Sequence, residues 1–142
     1  MKIINEMKLS FPSKSCNEAF ARAAVTSFVM NLDPTVEELS DLKTAVSEAV
    51  TNCIVHGYRH GSGMIFITAK ITEANKVTVK IRDKGCGIED VNQAMQPLFT
   101  TAPEEERAGL GFAVMQSFCD SVKVSSKPQK GTTVTLEKYI AV

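Results

Sequence analysis

The chain lacks a net charge: sixteen lysines and arginines balance sixteen aspartates and glutamates over 142 residues. Counterion-driven nucleic-acid binding needs a basic surface, so the balance argues against a direct nucleic-acid partner. It also lacks any apolar run near the roughly 20 residues that span a bilayer. Met1–Pro12 alternates polar and apolar residues and has no apolar signal-peptide core. These absences predict a cytoplasmic protein with no membrane partner. Cys16, Cys53, Cys86 and Cys119 are far apart and form no CxxC pair, so metal-site spacing is missing and the thiols read as reduced. No internal repeat or low-complexity linker interrupts the chain. Its length fits one domain, 1–142, with one core.

What is present is periodicity. Met7, Leu9 and Phe11 alternate with polar residues and predict a short half-buried strand. Ser15 and Glu18 are spaced as a capping box opening a helix, with Phe20, Ala24 and Phe28 as its apolar stripe and Glu18, Arg22 and Thr26 on another face. Thr35 and Glu38 predict a second capping box. The helix after it should run from about Val36 to Val55, burying Leu39, Leu42, Val46, Val50 and Cys53. Ile65–Thr72 and Val77–Arg82 alternate as two strands of a hairpin, and Val122–Ser126 with Thr132–Tyr139 as another. A short helix near Glu89–Met95 and one starting at Gly109–Phe118 complete the set. Helices and strands come in groups rather than in βαβ alternation. The expected class is therefore an α+β two-layer sandwich, a mostly antiparallel mixed sheet with helices on one face.

Three short motifs can carry chemistry. Glu48 and Asn52 are four apart on the second helix and share a face away from the apolar stripe. A carboxylate there can polarise a hydroxyl, and an amide oxygen can coordinate Mg²⁺, a hard cation. An ordinary solvated helix face is the plainer reading of that pair alone. Asp83-Lys-Gly85-Cys-Gly87 follows a strand; its glycines admit a tight turn and close approach of backbone to a ligand, and Asp83 can accept from an exocyclic amine such as that of adenine. A plain turn capped by aspartate is the alternative. Gly109-Leu110-Gly111 opens a helix, where backbone N–H groups and the helix dipole favour a phosphate; a packing role is equally open. It is neither a Walker A loop nor a Rossmann fingerprint. The intervening stretch, about 95–111, is polar and proline-bounded and reads as a lid, with Arg107 two residues before the glycines.

Taken together, ExxxN, DxGxG, Phe99-Thr100-Thr101, GxGF and Gly131-Thr132-Thr133 stand in an order that resembles the GHKL superfamily of ATP-binding proteins. Ser47–Tyr58, Gln96–Thr101 and Arg107–Phe112 are similar, within it, to the anti-sigma factors of spore-forming bacteria that double as serine kinases. The resemblance implies the Bergerat fold with a flexible ATP lid, ATP or ADP as ligand, and Mg²⁺. It implies Glu48 as general base toward a protein serine, Asn52 as metal ligand and Asp83 as the adenine contact, with Thr132 nearby through a water. It also implies Gly85 and Gly87 as pocket walls, and Thr100, Thr101, Arg107, Gly109, Leu110 and Gly111 as lid and phosphate contacts. Arg22 matches a partner-contact position. The implied partners are a sporulation sigma factor, sigma F, which is sequestered, an anti-anti-sigma protein as substrate, and a second copy of the chain, with the first strand and first helix as the expected dimer face. Ala102 stands where the family usually carries lysine, which shifts the expected lid charge toward Arg107. Cys86 reads as a small filler. Histidine kinases fit less well, because no histidine precedes the Glu48 helix, and gyrase-type ATPases need a further domain beyond Val142. A kinase of a stress-response sigma factor and a nucleotide-gated binding module without kinase activity remain alternatives.

Overall fold

In a computed structural model, which describes residues 2–88, 91, 95 and 111–140, the chain forms one sheet layer and one helix layer. The strands are β1 (Ile3–Pro12), β2 (Met64–Thr72), β3 (Lys76–Asp83), β4 (Ser121–Lys127) and β5 (Gly131–Tyr139). They lie in the order β1-β2-β3-β5-β4, and all four neighbouring pairs are antiparallel. The helices are α1 (Asn17–Val29), α2 (Val36–Asn52) and α3 (Gly111–Phe118), with α2 packed between the other two. None is long and apolar enough to cross a membrane. The expected α+β sandwich with helices on one face is what forms.

Alternation decides which face of the sheet is buried. Ile65, Ile67, Ala69 and Ile71 of β2 and Val77, Val79 and Ile81 of β3 point toward the helices and are buried. Each such large side chain contributes about 1.5–3 kcal/mol on leaving water. Leu42, Ala45, Val46, Ala49 and Val50 of α2 and Phe112 and Met115 of α3 close the core from above. The start of α2 is fixed as its sequence requires: Thr35 Oγ1 accepts from Glu38 N at 3.0 Å, and Thr35 N donates to Glu38 Oε1 at 2.9 Å. This reciprocal pair satisfies otherwise free backbone donors.

Three local expectations change. Ser15 does not cap α1; the cap position is Cys16, which makes no side-chain cap bond. The buried stripe of α1 is Ala21, Val25 and Val29, one residue on from Phe20, Ala24 and Phe28, and Phe20 is half exposed. Small and β-branched residues let α1 approach α2 closely. The larger Phe20 sits at the rim, edge-on to Phe11 with ring centroids 6.2 Å apart. Thr26 is buried too, its hydroxyl donating to Arg22 O at 2.9 Å, so a helix carbonyl absorbs its polarity. Finally, β1 is ten residues long and Met7, Leu9 and Phe11 pack against the core. Met7 and Leu9 are half-buried and Phe11 is buried; the exposed apolar residues of this edge strand are Ile3 and Ile4.

Candidate functional site

The site is built where α2 ends over the ends of β3 and β5. The α-helical pattern stops at Asn52 and is followed by a π-helical segment, Cys53–Gly57, closed by Tyr58 N donating to Cys53 O at 2.8 Å. The helix expected to reach Val55 thus changes register three residues earlier. A wider turn places successive carbonyls differently from an α-turn, and such segments are frequent at functional sites. Here the widened turn meets the glycine loop: Gly57 O accepts from Cys86 N at 2.9 Å, and His56 O accepts from Cys86 Sγ at 3.0 Å. Cys86 is therefore a weak donor in a packed joint, in keeping with a small filler.

Asn52 carries the clearest polar signal. Neither its Oδ1 nor its Nδ2 is solvent-accessible, and neither has a hydrogen-bond partner among the described residues. Buried amides are almost always paired. An amide oxygen sealed in this way suits a hard cation or a polar ligand group, so the residue fits the metal role expected of it. Glu48 lies one turn earlier on α2 and is half-buried.

Asp83 ends β3 opposite Thr132 of β5 and is almost fully buried, at 4 % exposure. Its Oδ1 accepts from Gly85 N at 2.9 Å. Burial pushes its carboxyl above the usual range, against the opposing pull of Gly85 N–H, the Cys53 thiol and Thr132 N–H. The same contact acts on Cys53: burial first, then the Asp83 charge, holds its thiol well above the ordinary value, so it stays protonated and donates. Cys53 thus links the helix of Asn52 to the aspartate.

Glycine is required at two of the close approaches. A Cβ at Gly57 would stand 2.7 Å from Asp83 Oδ2, and one at Gly85 would overlap Gly57 O. The backbone of the widened turn and that of the DxGxG loop touch, which is what holds the loop against α2.

The structure brings Asp83, Gly85 and Thr132 together, with Gly87 in the same loop, and places Asn52 next in the chain to Cys53, which meets Asp83, with Glu48 one helix turn earlier. Gly111 opens α3, which packs on α2. Thr100, Thr101, Arg107, Gly109 and Leu110, the expected lid from about 95, and most of the Glu89–Met95 helix lie outside the described residues. Arg22 stands on α1, where its Nη1 reaches Ser47 Oγ at 3.4 Å and Glu18 Oε1 at 3.5 Å. It is not merely solvated; it ties α1 to α2 beside Glu48.

Two participants carry no sequence signal of their own. Tyr58 Oη accepts from Lys84 N at 2.7 Å and donates to Met64 O at 2.5 Å, pinning the loop after Asp83 to β2. Ser126 Oγ accepts from Ile88 N at 2.8 Å, donates to Gly131 O at 3.0 Å, and meets Thr132 Oγ1 at 2.8 Å. Nothing periodic marks either residue; only the tertiary pairing reveals them.

Comparison with known proteins agrees with this geometry. Residues 11–138 match the model of the histidine kinase-like ATPase domain. An anti-sigma F factor of Thermoanaerobacter sp. (strain X514) is 59% identical over 140 residues, covering 99% of this chain and 97% of that protein. One from Geobacillus thermodenitrificans is 53% identical over 138 residues, covering 96% and 94%. Among solved structures, the RsbU and RsbW domains of Rv1364c from Mycobacterium tuberculosis align with a TM-score of 0.70 at 17% identity. That alignment spans 96% of this chain and 32% of the longer one, and it speaks to the fold alone. With a sealed amide on α2, a buried aspartate at the end of β3 and near-full-length relatives, the chain belongs to the anti-sigma F factor family of histidine kinase-like ATPase domains.

Proposed function

We propose that the chain is a cytoplasmic, ATP-dependent anti-sigma factor that sequesters a sporulation sigma factor, sigma F, and phosphorylates an anti-anti-sigma protein on serine. The observation that carries the nucleotide part is the buried amide of Asn52, without a partner among the described residues and next in the chain to Cys53, whose thiol meets the buried carboxylate of Asp83. Both are costly to hold in an apo pocket, and both suit a polar ligand that enters it.

In this reading Asn52 Oδ1 ligates Mg²⁺. Asp83 accepts from the adenine amine, with Thr132 supporting it, and Gly85 and Gly87 let the base approach the backbone. Bound Mg²⁺ and ATP supply the transferable phosphoryl group and neutralise its charge. Thr100, Thr101, Arg107, Gly109, Leu110 and Gly111 cover the phosphates. Glu48 takes the proton of the substrate serine as its oxygen bonds to the γ-phosphorus and the bond to the ADP oxygen breaks. Arg22, held between Glu18 and Ser47, meets the protein partners, and the chain acts as a homodimer. A sigma factor bound with ATP and an anti-anti-sigma protein bound with ADP would make it a partner switch.

The test is transfer of label from γ-labelled ATP to the serine-bearing partner. Glu48→Gln should lower transfer by about 10²–10⁴-fold, the range of a lost general base, while nucleotide affinity stays within about threefold of wild type. Equal transfer by the variant would remove Glu48 from the chemistry. Absence of transfer by wild type as well, with ATP-dependent sigma binding intact, would leave a nucleotide-gated binding module.

A further inference from the structure

The helices cover one face of the sheet. Among the described residues, no helix or strand packs on the other. Its outward side chains fall in rows set by strand register. One row reads Lys8, Thr68, Lys80, Thr135, Lys123, with the three lysines exposed and about 10 Å apart, two strand spacings each. The next reads Ser10, Phe66, Arg82, Thr133, Ser125. Neither row contains a carboxylate. The outward carboxylates of these strands are Glu6 and Glu137, and each is already paired, Glu6 with Lys70 at 3.6 Å and Glu137 with Lys76 at 2.7 Å. Glu137 also lies 3.9 Å from Lys123, so two carboxylates stand against Lys8, Lys70, Lys76, Lys80, Arg82 and Lys123, and among the described residues Lys8 and Lys80 carry no ion pair. A chain of zero net charge therefore concentrates an excess of positive charge on one flat face, which total composition does not reveal.

We propose that this bare sheet face is a docking surface for an acidic protein. Its five strands, about 4.8 Å apart and roughly eight residues long, span some 600 Å² in projection. That is comparable to the roughly 800 Å² that each partner contributes to a standard interface. Charge decides the occupant. A second copy meeting face to face would set lysine rows against lysine rows, which like-charge repulsion disfavours. Single-stranded nucleic acid needs free aromatic rings on which to stack bases, and here the rings are taken. Arg82 lies over Phe66 at 4.8 Å and Lys84 at 5.2 Å, while Lys76 lies over Tyr139 at 5.9 Å. Cations fixed over rings, with threonines between them, suit carboxylates presented by a protein surface. Arg22 and Glu48 belong to the helix layer, so a partner on this face leaves the helix side accessible.

The test uses the full chain and a fluorescein-labelled decaglutamate peptide, read by anisotropy in 50 mM and 200 mM salt. Wild type should bind, more weakly at the higher salt, with amide shifts confined to the outward rows. Lys8→Glu/Lys80→Glu should weaken binding at least tenfold, and the exposed α2 control Lys43→Glu should stay within about twofold. If the double reversal lowers the melting temperature, Lys8→Gln/Lys80→Gln replaces it, with at least threefold weakening expected. Undiminished peptide binding by these variants, or no peptide binding by wild type, overturns the proposal. So does tighter binding of a labelled 12-mer oligothymidylate lost in the same variants, which would make the face a nucleic-acid surface. Dissociation of a homo-oligomer by the reversals, seen in light scattering, would make it a self-contact and overturn the proposal too.

Discussion

Replacing Asn52 by leucine should stabilise the empty protein and abolish its response to nucleotide. Both polar atoms of the amide are sealed from solvent without a hydrogen-bond partner among the described residues. A buried polar group left in this state costs about 1–3 kcal/mol on mutational scales. Leucine has nearly the same shape and no polar atom, so Asn52→Leu should recover most of that cost. For a domain of this size the gain corresponds to roughly 3–10 °C in melting temperature. Nucleotide reverses the order. At free ATP a thousandfold above its Kd, with Mg²⁺, wild type gains about 4.1 kcal/mol by mass action, and the variant gains nothing if the amide holds the metal. Calorimetric melts of the two proteins, with and without MgATP, read both signs. An apo variant that melts below wild type would refute the claim that the amide is unsatisfied. A retained ATP shift would refute its place in the site.

Tyr58→Phe keeps the ring but leaves Lys84 N and Met64 O without the hydroxyl they share; it should cost about 0.5–1.5 kcal/mol in stability and weaken ATP binding several-fold, measured by titration calorimetry, with turnover at saturating ATP retained. Asp83 titrates above the ordinary carboxyl range because it is buried; the folded state then holds its proton more tightly than the unfolded chain, so its contribution to stability is full below the unfolded pKa and is lost as pH rises through the folded one. Nucleotide affinity should move oppositely, falling as pH drops into that window because a protonated carboxyl no longer accepts freely from an amine, and Asp83→Asn should bind weakly with a flat pH profile. Thr35→Ala removes the α2 cap and should cost about 1 kcal/mol in thermal unfolding with ATP affinity unchanged, separating a loss of stability from a loss of site.

The parts of the fold legible in the sequence are those where one residue pattern had one physical solution. Strict alternation in Ile65–Thr72 and Val77–Arg82 admits only a half-buried hairpin, and Thr35 with Glu38 forms the cap their spacing implies. In α1 the pattern was degenerate. Ala21, Val25 and Val29 compete with Phe20, Ala24 and Phe28 for the inward face, and hydrophobicity favours the phenylalanines. Close approach of two helices favours small side chains, and packing decided the matter. Along β1, the alternation of Met7, Leu9 and Phe11 was legible as a half-buried strand, and it forms one with these side chains against the core.

The site was legible as a set of residues and not as a mechanism of assembly. ExxxN and DxGxG name candidate side chains, yet neither shows why the two segments stay in contact. That contact depends on the turn from Cys53 to Gly57 widening, so that Gly57 O reaches Cys86 N and Cys53 reaches Asp83. It also depends on glycine at 57 and at 85, where a side chain would strike the carboxylate or the facing carbonyl. A change of hydrogen-bond register from i+4 to i+5 leaves no periodic trace over five residues, because hydrophobic spacing cannot be resolved on so short a stretch. Gly57 is thus as much a site residue as Gly85, although it ends a helix where glycine is ordinarily read as a stop signal. Asn52 stands at that change of register: the α-helix ends on it, the wider turn begins at Cys53, and its amide is left buried without a partner among the described residues.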